Sequence, residues 1–177
     1  MPRRLLSIAS THAEYVMLHD TPPATQSYEA QAQYSYAALS YCWGDIAPKF
    51  KLTTECIDKA RSGILVKTLP KTLQDAILIA RTMEIPYIWI DSLCIIQDDE
   101  GDKKRELPNM VHIYSGAAVV ISAATSRTCE DGFLQPRDVS SLLKFVYKLP
   151  YFPTDDGPQK GFMEVDEGLC GRLGLAE

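Results

Sequence analysis

Three short polar segments combine residue types that can bind a nucleotide or a sugar. Trp43-Gly44-Asp45 follows one apolar run, Asp91-Ser92 follows a second, and Thr125-Ser126-Arg127 follows a third. An indole can stack on a base, a carboxylate can accept hydrogen bonds from ribose hydroxyls, and a guanidinium can bind phosphate. The pattern therefore predicts a polar-rimmed crevice, with Trp43 on its wall, that takes a nucleotide-like ligand.

These side chains also have a purely structural interpretation. Asp91 is suited to cap the turn that follows it, and Trp43 is suited to pack as a core aromatic. The sequence contains neither a Gly-rich dinucleotide loop nor a P-loop, so a standard site of either kind is excluded. Both interpretations of Asp91 and Trp43 stay open at this point.

A catalytic role has less support in the sequence than a binding role. Ser40 lacks a nucleophile-elbow context, and no histidine is placed to activate Cys94, which is better explained as a small packed residue. Glu106 is the candidate general base, because it lies on a predicted helix after an acidic loop. The alternative is that Glu106 is an ordinary carboxylate on a helix surface.

The polar segments can meet only if the runs before them are neighbouring parallel strands. Residues 36–42, 87–91 and 117–123 are short apolar runs between breakers, as is typical of strands buried on both faces. Residues 72–83 carry apolar side chains at helical spacing, after a capping-box-like start at Thr72-Leu-Gln-Asp75. We therefore expect a strand–helix–strand crossover whose strands end at one edge of the sheet.

A second helix and an N-terminal strand pair are expected around this core. Residues 102–114 have helical spacing, and the helix either starts at Pro108 or kinks there. Leu5–Ile8 and Tyr15–Leu18 are short apolar runs that we expect to pair antiparallel at the edge of the sheet.

The signal weakens after Cys129, where prolines separate short apolar pieces. Residues 142–147 and 161–165 are expected to form edge strands. We accordingly divide the chain into an N-terminal β element with a linker (1–35), a core (36–135) and an irregular C-terminal extension (136–177).

Composition excludes several classes of partner. The net charge of −5 argues against nucleic acid, and no apolar stretch approaches the length of a membrane span. The five cysteines are scattered and lack CxxC spacing, and the three histidines are isolated, so no metal site is expected. This cysteine usage fits a reducing compartment, which we take to be the cytoplasm.

Three ordered blocks carry a family resemblance. They are Tyr36-Ala-Ala-Leu-Ser-Tyr-Cys-Trp-Gly-Asp45, then Leu69-Pro-Lys-Thr-Leu-Gln-Asp-Ala76 leading to Tyr87-Ile-Trp-Ile-Asp-Ser-Leu-Cys-Ile-Ile-Gln-Asp-Asp99, then Glu106-Leu-Pro-Asn-Met110 with Ile113-Tyr114 and Ala117. In order and spacing they resemble the fungal heterokaryon-incompatibility domain, the HET domain, across residues 36 to 135.

The resemblance implies a fungal protein concerned with non-self recognition and programmed cell death, acting through protein partners or self-association. It also implies kinship with Toll/interleukin-1 receptor (TIR) domains. We therefore expect an α/β fold, with a TIR-like or flavodoxin-like parallel sheet flanked by helices. Ser40 and Gln97 lie in the matched blocks and complete the candidate ligand-binding set: Ser40, Trp43, Gly44, Asp45, Asp91, Ser92, Gln97 and Arg127.

The same resemblance raises a question about enzymatic activity. Some TIR domains cleave NAD with a glutamate in a Trp-containing motif, and HET domains usually carry an Arg-x-Trp-x-x-Gln-Glu block downstream. No tryptophan follows Cys129 in this sequence. We expect either a fragment or a member without that block. A signalling module, an NAD glycohydrolase with NAD as substrate only and no cofactor, and a truncated inactive member all remain open.

Overall fold

A computed structural model describes residues 1–9, 14–22, 34–44 and 50–136, together with the backbone of three strands near the C-terminus. The chain divides into two compact units, Met1–Leu134 and Gln135–Glu177. The fold is α/β, and a mixed sheet flanked by helices forms the first unit. This confirms the predicted fold class, while kinship with TIR domains stays a prediction.

The sheet of the first unit has six strands in the order β4-β2-β1-β5-β3-β6. Strands β3, β5 and β6 are mutually parallel, whereas β1 pairs antiparallel with both β2 and β5. The strands are β1 (Arg4–Ser7), β2 (Tyr15–Asp20), β3 (Tyr36–Ser40), β4 (Ile64–Leu65), β5 (Tyr87–Trp89) and β6 (Val119–Ser122). The predicted antiparallel pairing of β1 and β2 is therefore confirmed, but the expected position at the sheet edge is wrong, because β1 also pairs with β5 and β2 also pairs with β4.

Burial explains why β3 and β5 are apolar without alternation. Ala37, Ala38 and Leu39 on β3, and Ile88 and Trp89 on β5, are inaccessible to solvent because both faces of the sheet are covered there. The small alanines of β3 leave room on either side of the strand for larger neighbours.

The expectation of full burial is wrong for β6. In the register of the parallel strands, Val120 lies opposite Ala38, yet its side chain is 46% exposed. Only Ile121 of this strand is buried. The reason is position, because β6 has a strand neighbour on one side only among the described residues.

Among the described residues, the helices of the first unit are short except for one. They are α1 (Ile57–Ser62), α2 (Lys71–Thr82), α3 (Asp91–Cys94), α4 (Glu100–Glu106) and α5 (Met110–Ser115). Helix α2 is the predicted crossover helix, and its buried stripe includes Leu73, Ala76, Ile77 and Ala80. Met83, the last residue of the predicted range 72–83, follows the end of α2 and is 48% exposed, so the predicted apolar spacing does not continue to it as a buried stripe.

The predicted capping box at the start of α2 is also wrong. Pro70 occupies the N-cap position, and no side chain caps the helix there. Thr72 and Asp75 are both buried, and they bond to a distant loop instead. Thr-x-x-Asp spacing satisfies either arrangement, and tertiary contacts decided between them.

Pro108 interrupts the second predicted helix. A 3-10 turn at Leu107–Asn109 separates α4 from α5, because a proline in a helix interior removes one backbone donor. Asp99 caps α4 by accepting hydrogen bonds from Gly101 N (2.8 Å) and Asp102 N (3.1 Å).

The second unit contains an antiparallel sheet in the order β7-β8-β9. Its strands are Tyr147–Tyr151, Gly161–Val165 and Arg172–Gly174. A strand at residues 161–165 is confirmed, but the expectation of an edge strand is wrong, because β8 pairs with both β7 and β9. Of the strand predicted at 142–147, only Tyr147 is among the described residues, and it begins β7.

Candidate functional site

The ends of β3 and β5 are joined by two side-chain hydrogen bonds. The indole Nε1 of Trp43 donates to Asp91 Oδ2 over 2.9 Å, and the Tyr41 hydroxyl donates to Ser92 Oγ over 2.8 Å. Both pairs form because parallel strands end at the same edge of a sheet. The structure thus brings together three of the predicted ligand-binding residues, Trp43, Asp91 and Ser92.

Asp91 is held as a structural acceptor at this edge. It is the first residue of α3, and its Oδ1 accepts a hydrogen bond from the Ser92 backbone N–H over 2.6 Å. Burial raises the pKa of Asp91, while bonds from Ser92 N–H, Trp43 and Tyr41 act in the opposite direction. Its two oxygens therefore bond to the protein itself, in keeping with the structural interpretation.

The buried environment also acts on Tyr41. Burial raises the pKa of its phenol, and the nearby Asp91 carboxylate acts in the same direction. Tyr41 therefore stays protonated and serves as a hydrogen-bond donor. Sequence reasoning missed this residue, although its place two residues before Trp43 was a usable signal.

Gln97 fixes the segment that follows α3. Its side-chain Nε2 donates to Asp91 O (3.1 Å) and to Ile95 O (3.0 Å). Backbone bonds from Leu52 N to Ser92 O and from Gln97 N to Leu52 O, each 2.8 Å, tie the same segment to the chain before α1. The predicted residue Gln97 thus lies next to Asp91, where its side chain holds the backbone in place.

The third polar segment joins the edge through different residues from those predicted. A Cβ added to Gly44, whose φ is +91°, would lie 3.0 Å from Thr128 Cβ, and Cys129 N donates to Trp43 O over 3.4 Å. Arg127 is exposed, and its backbone N–H donates to Asp131 Oδ2. Gly44 thus lies at the contact between the two segments, as only a small residue fits there.

Ser40 and Asp45 were also predicted to bind a ligand. Ser40 ends β3 with an exposed side chain, and its carbonyl accepts a hydrogen bond from Ala123 N over 2.9 Å. Asp45 lies outside the described residues. Within them, the strand exits therefore form a bonded edge built on Tyr41, Trp43, Asp91 and Ser92.

The loop after β6 is anchored to α2 by Thr72 and Asp75, the residues that the sequence predicted to form a capping box. Asp75 Oδ2 accepts from Phe133 N (2.9 Å) and Leu134 N (3.2 Å), and Lys71 donates to the other oxygen. Although burial acts to raise it, these hydrogen bonds lower the pKa of Asp75 below its ordinary value. The motif therefore holds residues 126–134 in place, a role that spacing along the chain did not reveal.

Glu106 lies in a separate cluster of charged groups. The buried Asp102 carboxylate accepts from Arg4, which is itself buried, and from Ile96 N over 2.9 Å. Arg4 Nε donates to Cys94 O over 2.8 Å, so the cluster adjoins α3.

Two exposed arginines approach the same cluster. Arg3 and Arg105 place guanidinium nitrogens 3.5 and 3.6 Å from Asp102 Oδ1. Glu106 is buried, and burial raises its pKa, partly offset by the Arg3 backbone N–H and the charge of Arg4. Glu106 is therefore not the exposed carboxylate on a helix surface that the alternative interpretation expected.

A groove of about 460 Å³ opens beside this cluster and is lined by Arg3, Arg105, Glu106 and Asn109, among others. Sequence reasoning missed Arg3 and Arg4, because no pattern links the first strand to residues almost a hundred positions later.

Within the described ranges, no group of three or more His, Cys, Asp or Glu side chains could hold a metal ion. No helix of that part of the chain has the length and apolar content that a bilayer crossing requires.

Comparison with known proteins gives a family match. The model of the family described as "Heterokaryon incompatibility protein (HET)" matches residues 36–153. The chain is also similar to "Heterokaryon incompatibility protein 6, OR allele" of Neurospora crassa, with 32% identity over 129 residues, which cover 66% of this chain and 19% of the relative. The chain thus spans about a fifth of the length of that relative. No solved structure matches this chain.

Proposed function

Because the chain belongs to the heterokaryon incompatibility (HET) family, we propose that it is the HET-domain module of a fungal protein that acts in heterokaryon incompatibility. The module works in the cytoplasm, in non-self recognition that leads to programmed cell death. It acts through protein partners or through self-association, and its kinship is with TIR domains.

The observation that carries this proposal is the bond between Trp43 and Asp91. The two residues come from different matched blocks, and with Tyr41 and Ser92 they join two strand exits into one edge. Their polar atoms are engaged with each other, which suits a frame that presents a surface to a partner. A site for nucleophilic chemistry would instead need a nucleophile beside a base.

Inducible expression in fungal cells tests the proposal. We expect the wild-type chain to reduce colony survival and increase vital-dye uptake, and Asp91→Ala to weaken both effects because the edge loses its shared acceptor. Lys104→Gln changes an exposed residue on α4 and is the matched control. Unimpaired survival at protein levels confirmed by immunoblot would contradict the proposal, and sedimentation velocity of the purified chain tests self-association separately.

A second candidate function, NAD glycohydrolysis, is favoured by the surroundings of Glu106. The buried carboxyl has a raised pKa and lines a groove with Arg3 and Arg105, whose guanidinium groups match a pyrophosphate. In this reaction water attacks C1′ of the nicotinamide riboside, and the bond from C1′ to the nicotinamide nitrogen breaks. The products are nicotinamide, ADP-ribose and a proton, and Glu106 would accept the proton from water.

Nicotinamide release from NAD, followed by chromatography, tests this alternative. We expect release by the purified chain to fall at least about a hundredfold in Glu106→Gln, which keeps the shape of the side chain but removes the base. Glu100→Gln alters an exposed carboxylate of the same helix and should leave release unchanged. Equal release from wild type and Glu106→Gln would contradict the role of Glu106.

Asp91→Ala distinguishes between the two regions proposed to bind the nucleotide, the strand exits and the groove at Glu106. If the strand exits bind the nucleotide, as the sequence predicts, calorimetry should show weaker NAD binding by a folded Asp91→Ala variant. Unchanged affinity would instead favour the groove at Glu106.

A further inference from the structure

A cavity of about 320 Å³ lies beside α1, at a place that neither proposed function uses. Its lining includes Leu52, Ala60, Ile64 and Leu93, each no more than 4% exposed, with Phe50 and Tyr15 also contributing. Trp43, Asp91, Arg3 and Glu106 do not line it. The interior is apolar, and its volume falls at the lower end of the range typical of small-molecule sites.

The charged groups of this cavity have one sign. Lys51 and Lys59 line it with exposed side chains, and no acidic side chain is among its lining residues. Neither lysine forms a salt bridge with another residue in the described part of the chain. An apolar interior beside two ammonium groups is complementary to a ligand with an apolar body and one negative charge.

The wall next to Lys51 is fixed by hydrogen bonds. Leu52 bonds through its backbone to Ser92 and Gln97, and Thr54 donates to both carboxylate oxygens of Asp98, over 2.9 and 2.8 Å. A cavity with a wall of this kind does not have to be formed at the moment of binding, which lowers the entropic cost of taking up a ligand.

We propose that this cavity is a binding site for a small amphiphilic monocarboxylate. The apolar body fills the space over Leu52 and Ala60, and the carboxylate lies between Lys51 and Lys59. This inference is independent of the proposed functions, since none of the residues that line the cavity belongs to either proposed site.

Titration of the 15N-labelled full chain with decanoate tests the site, with decanol as the uncharged probe. We expect saturable amide shifts at Leu52 and Ala60, and tighter binding of decanoate than of decanol. The double variant Lys51→Gln/Lys59→Gln should bind decanoate about three- to tenfold more weakly, since each exposed charge pair contributes a modest free energy. Its affinity for decanol should not change.

Lys104→Gln is the matched control, because it removes one positive charge from an exposed position outside the cavity. It should bind decanoate like the wild type. Absence of saturable shifts at the cavity amides would overturn the proposal, and so would equal decanoate affinity in the double variant and the wild type.

Cys56 supplies a second readout, because this half-buried thiol lines the cavity. We expect decanoate to slow the alkylation of Cys56 by iodoacetamide, as measured by peptide mass spectrometry, and to leave the rate at the exposed Cys42 unchanged. Equal slowing at both cysteines would indicate general association with the probe and would overturn the assignment to this cavity.

Discussion

At the scale of single residues, Trp89 joins the core of the sheet to the helix before β6. Its side chain is inaccessible to solvent, and its ring meets that of Tyr114 edge-on with centroids 5.5 Å apart. The indole Nε1 is buried and has no hydrogen-bond partner among the described residues. The burial expected from the apolar run is therefore confirmed, and the unpartnered N–H of this side chain costs free energy in the folded state.

We predict that Trp89→Ala lowers the free energy of unfolding by about 3–5 kcal/mol, because it leaves a large cavity beside β5. Urea denaturation followed by circular dichroism measures this loss. Trp89→Phe should cost clearly less, because it keeps an aromatic ring and removes the unpartnered N–H. Equal losses in the two variants would contradict this account of the site.

Asp75 gives a prediction about pH. Its lowered pKa means that the folded state favours the ionised form, so its contribution is present above the ordinary Asp pKa and is lost as pH falls through the folded value. We predict that Asp75→Asn destabilises the chain by about 1–3 kcal/mol at pH 7. The difference from wild type should shrink below about pH 4, as measured by urea denaturation across pH. A difference that does not vary with pH would mean that the charge is not what stabilises the loop.

At the scale of elements, the loop at residues 126–134 is fastened to α2 at several points. The Thr72 hydroxyl donates to Thr128 O over 3.2 Å and accepts from Gly132 N over 3.1 Å. Gly132 has φ of +71°, and a Cβ there would lie 2.6 Å from Lys71 Cγ and 2.8 Å from Asp75 Oδ2. The loop thus packs against α2 too closely for any side chain at Gly132.

We predict that Thr72→Val lowers the free energy of unfolding by about 1–3 kcal/mol, because it leaves the buried Gly132 N unpaired and removes one of the two hydrogen bonds that Thr128 O accepts. Thr82→Val is the matched control, since Thr82 is exposed and its hydroxyl donates within its own helix, to Leu78 O. Urea denaturation of both variants and the wild type measures the free energies of unfolding that check the prediction. Similar stabilities of the two would show that the loop is not held through Thr72.

Gly132→Ala tests the same contact by steric means. We predict a loss of at least about 1 kcal/mol in the free energy of unfolding, because alanine is strained at this φ and its Cβ overlaps Lys71 and Asp75. The double variant Gly132→Ala/Lys71→Ala removes one of the overlapping side chains and should recover part of the loss. No recovery would show that the overlap with Lys71 does not contribute to the cost.

At the scale of the whole molecule, the N-terminal strands belong to the same sheet as the family-matched segment. The family match starts at residue 36, yet β1 lies between β2 and β5, and Arg4 of β1 pairs with the buried Asp102. Without β1, the β5 edge would lose its partner and Asp102 would keep a buried charge without its main counter-ion.

We therefore predict that residues 36–136 alone do not form a cooperative fold, whereas residues 1–136 do. The second fragment contains the whole of the first compact unit. Proton–nitrogen correlation spectra of both fragments check this. A dispersed spectrum from residues 36–136 would show that β1 and β2 are dispensable.

The sequence by itself determined the elements whose pattern is local and repeated. Apolar runs between breakers were enough to find β3 and β5, helical spacing found α2, and the ordered blocks identified the family. Pro108 marked the break between α4 and α5 because its covalent structure excludes an unbroken helix there.

Only the tertiary structure decided which polar residues meet. The bonds from Trp43 to Asp91, from Phe133 to Asp75 and from Arg4 to Asp102 join residues 48, 58 and 98 positions apart. The tertiary structure also decided that Val120 of β6 is exposed and that β1 lies beside β5. The physical reason is that secondary structure follows from neighbours along the chain, whereas burial and pairing depend on which strands become neighbours in space.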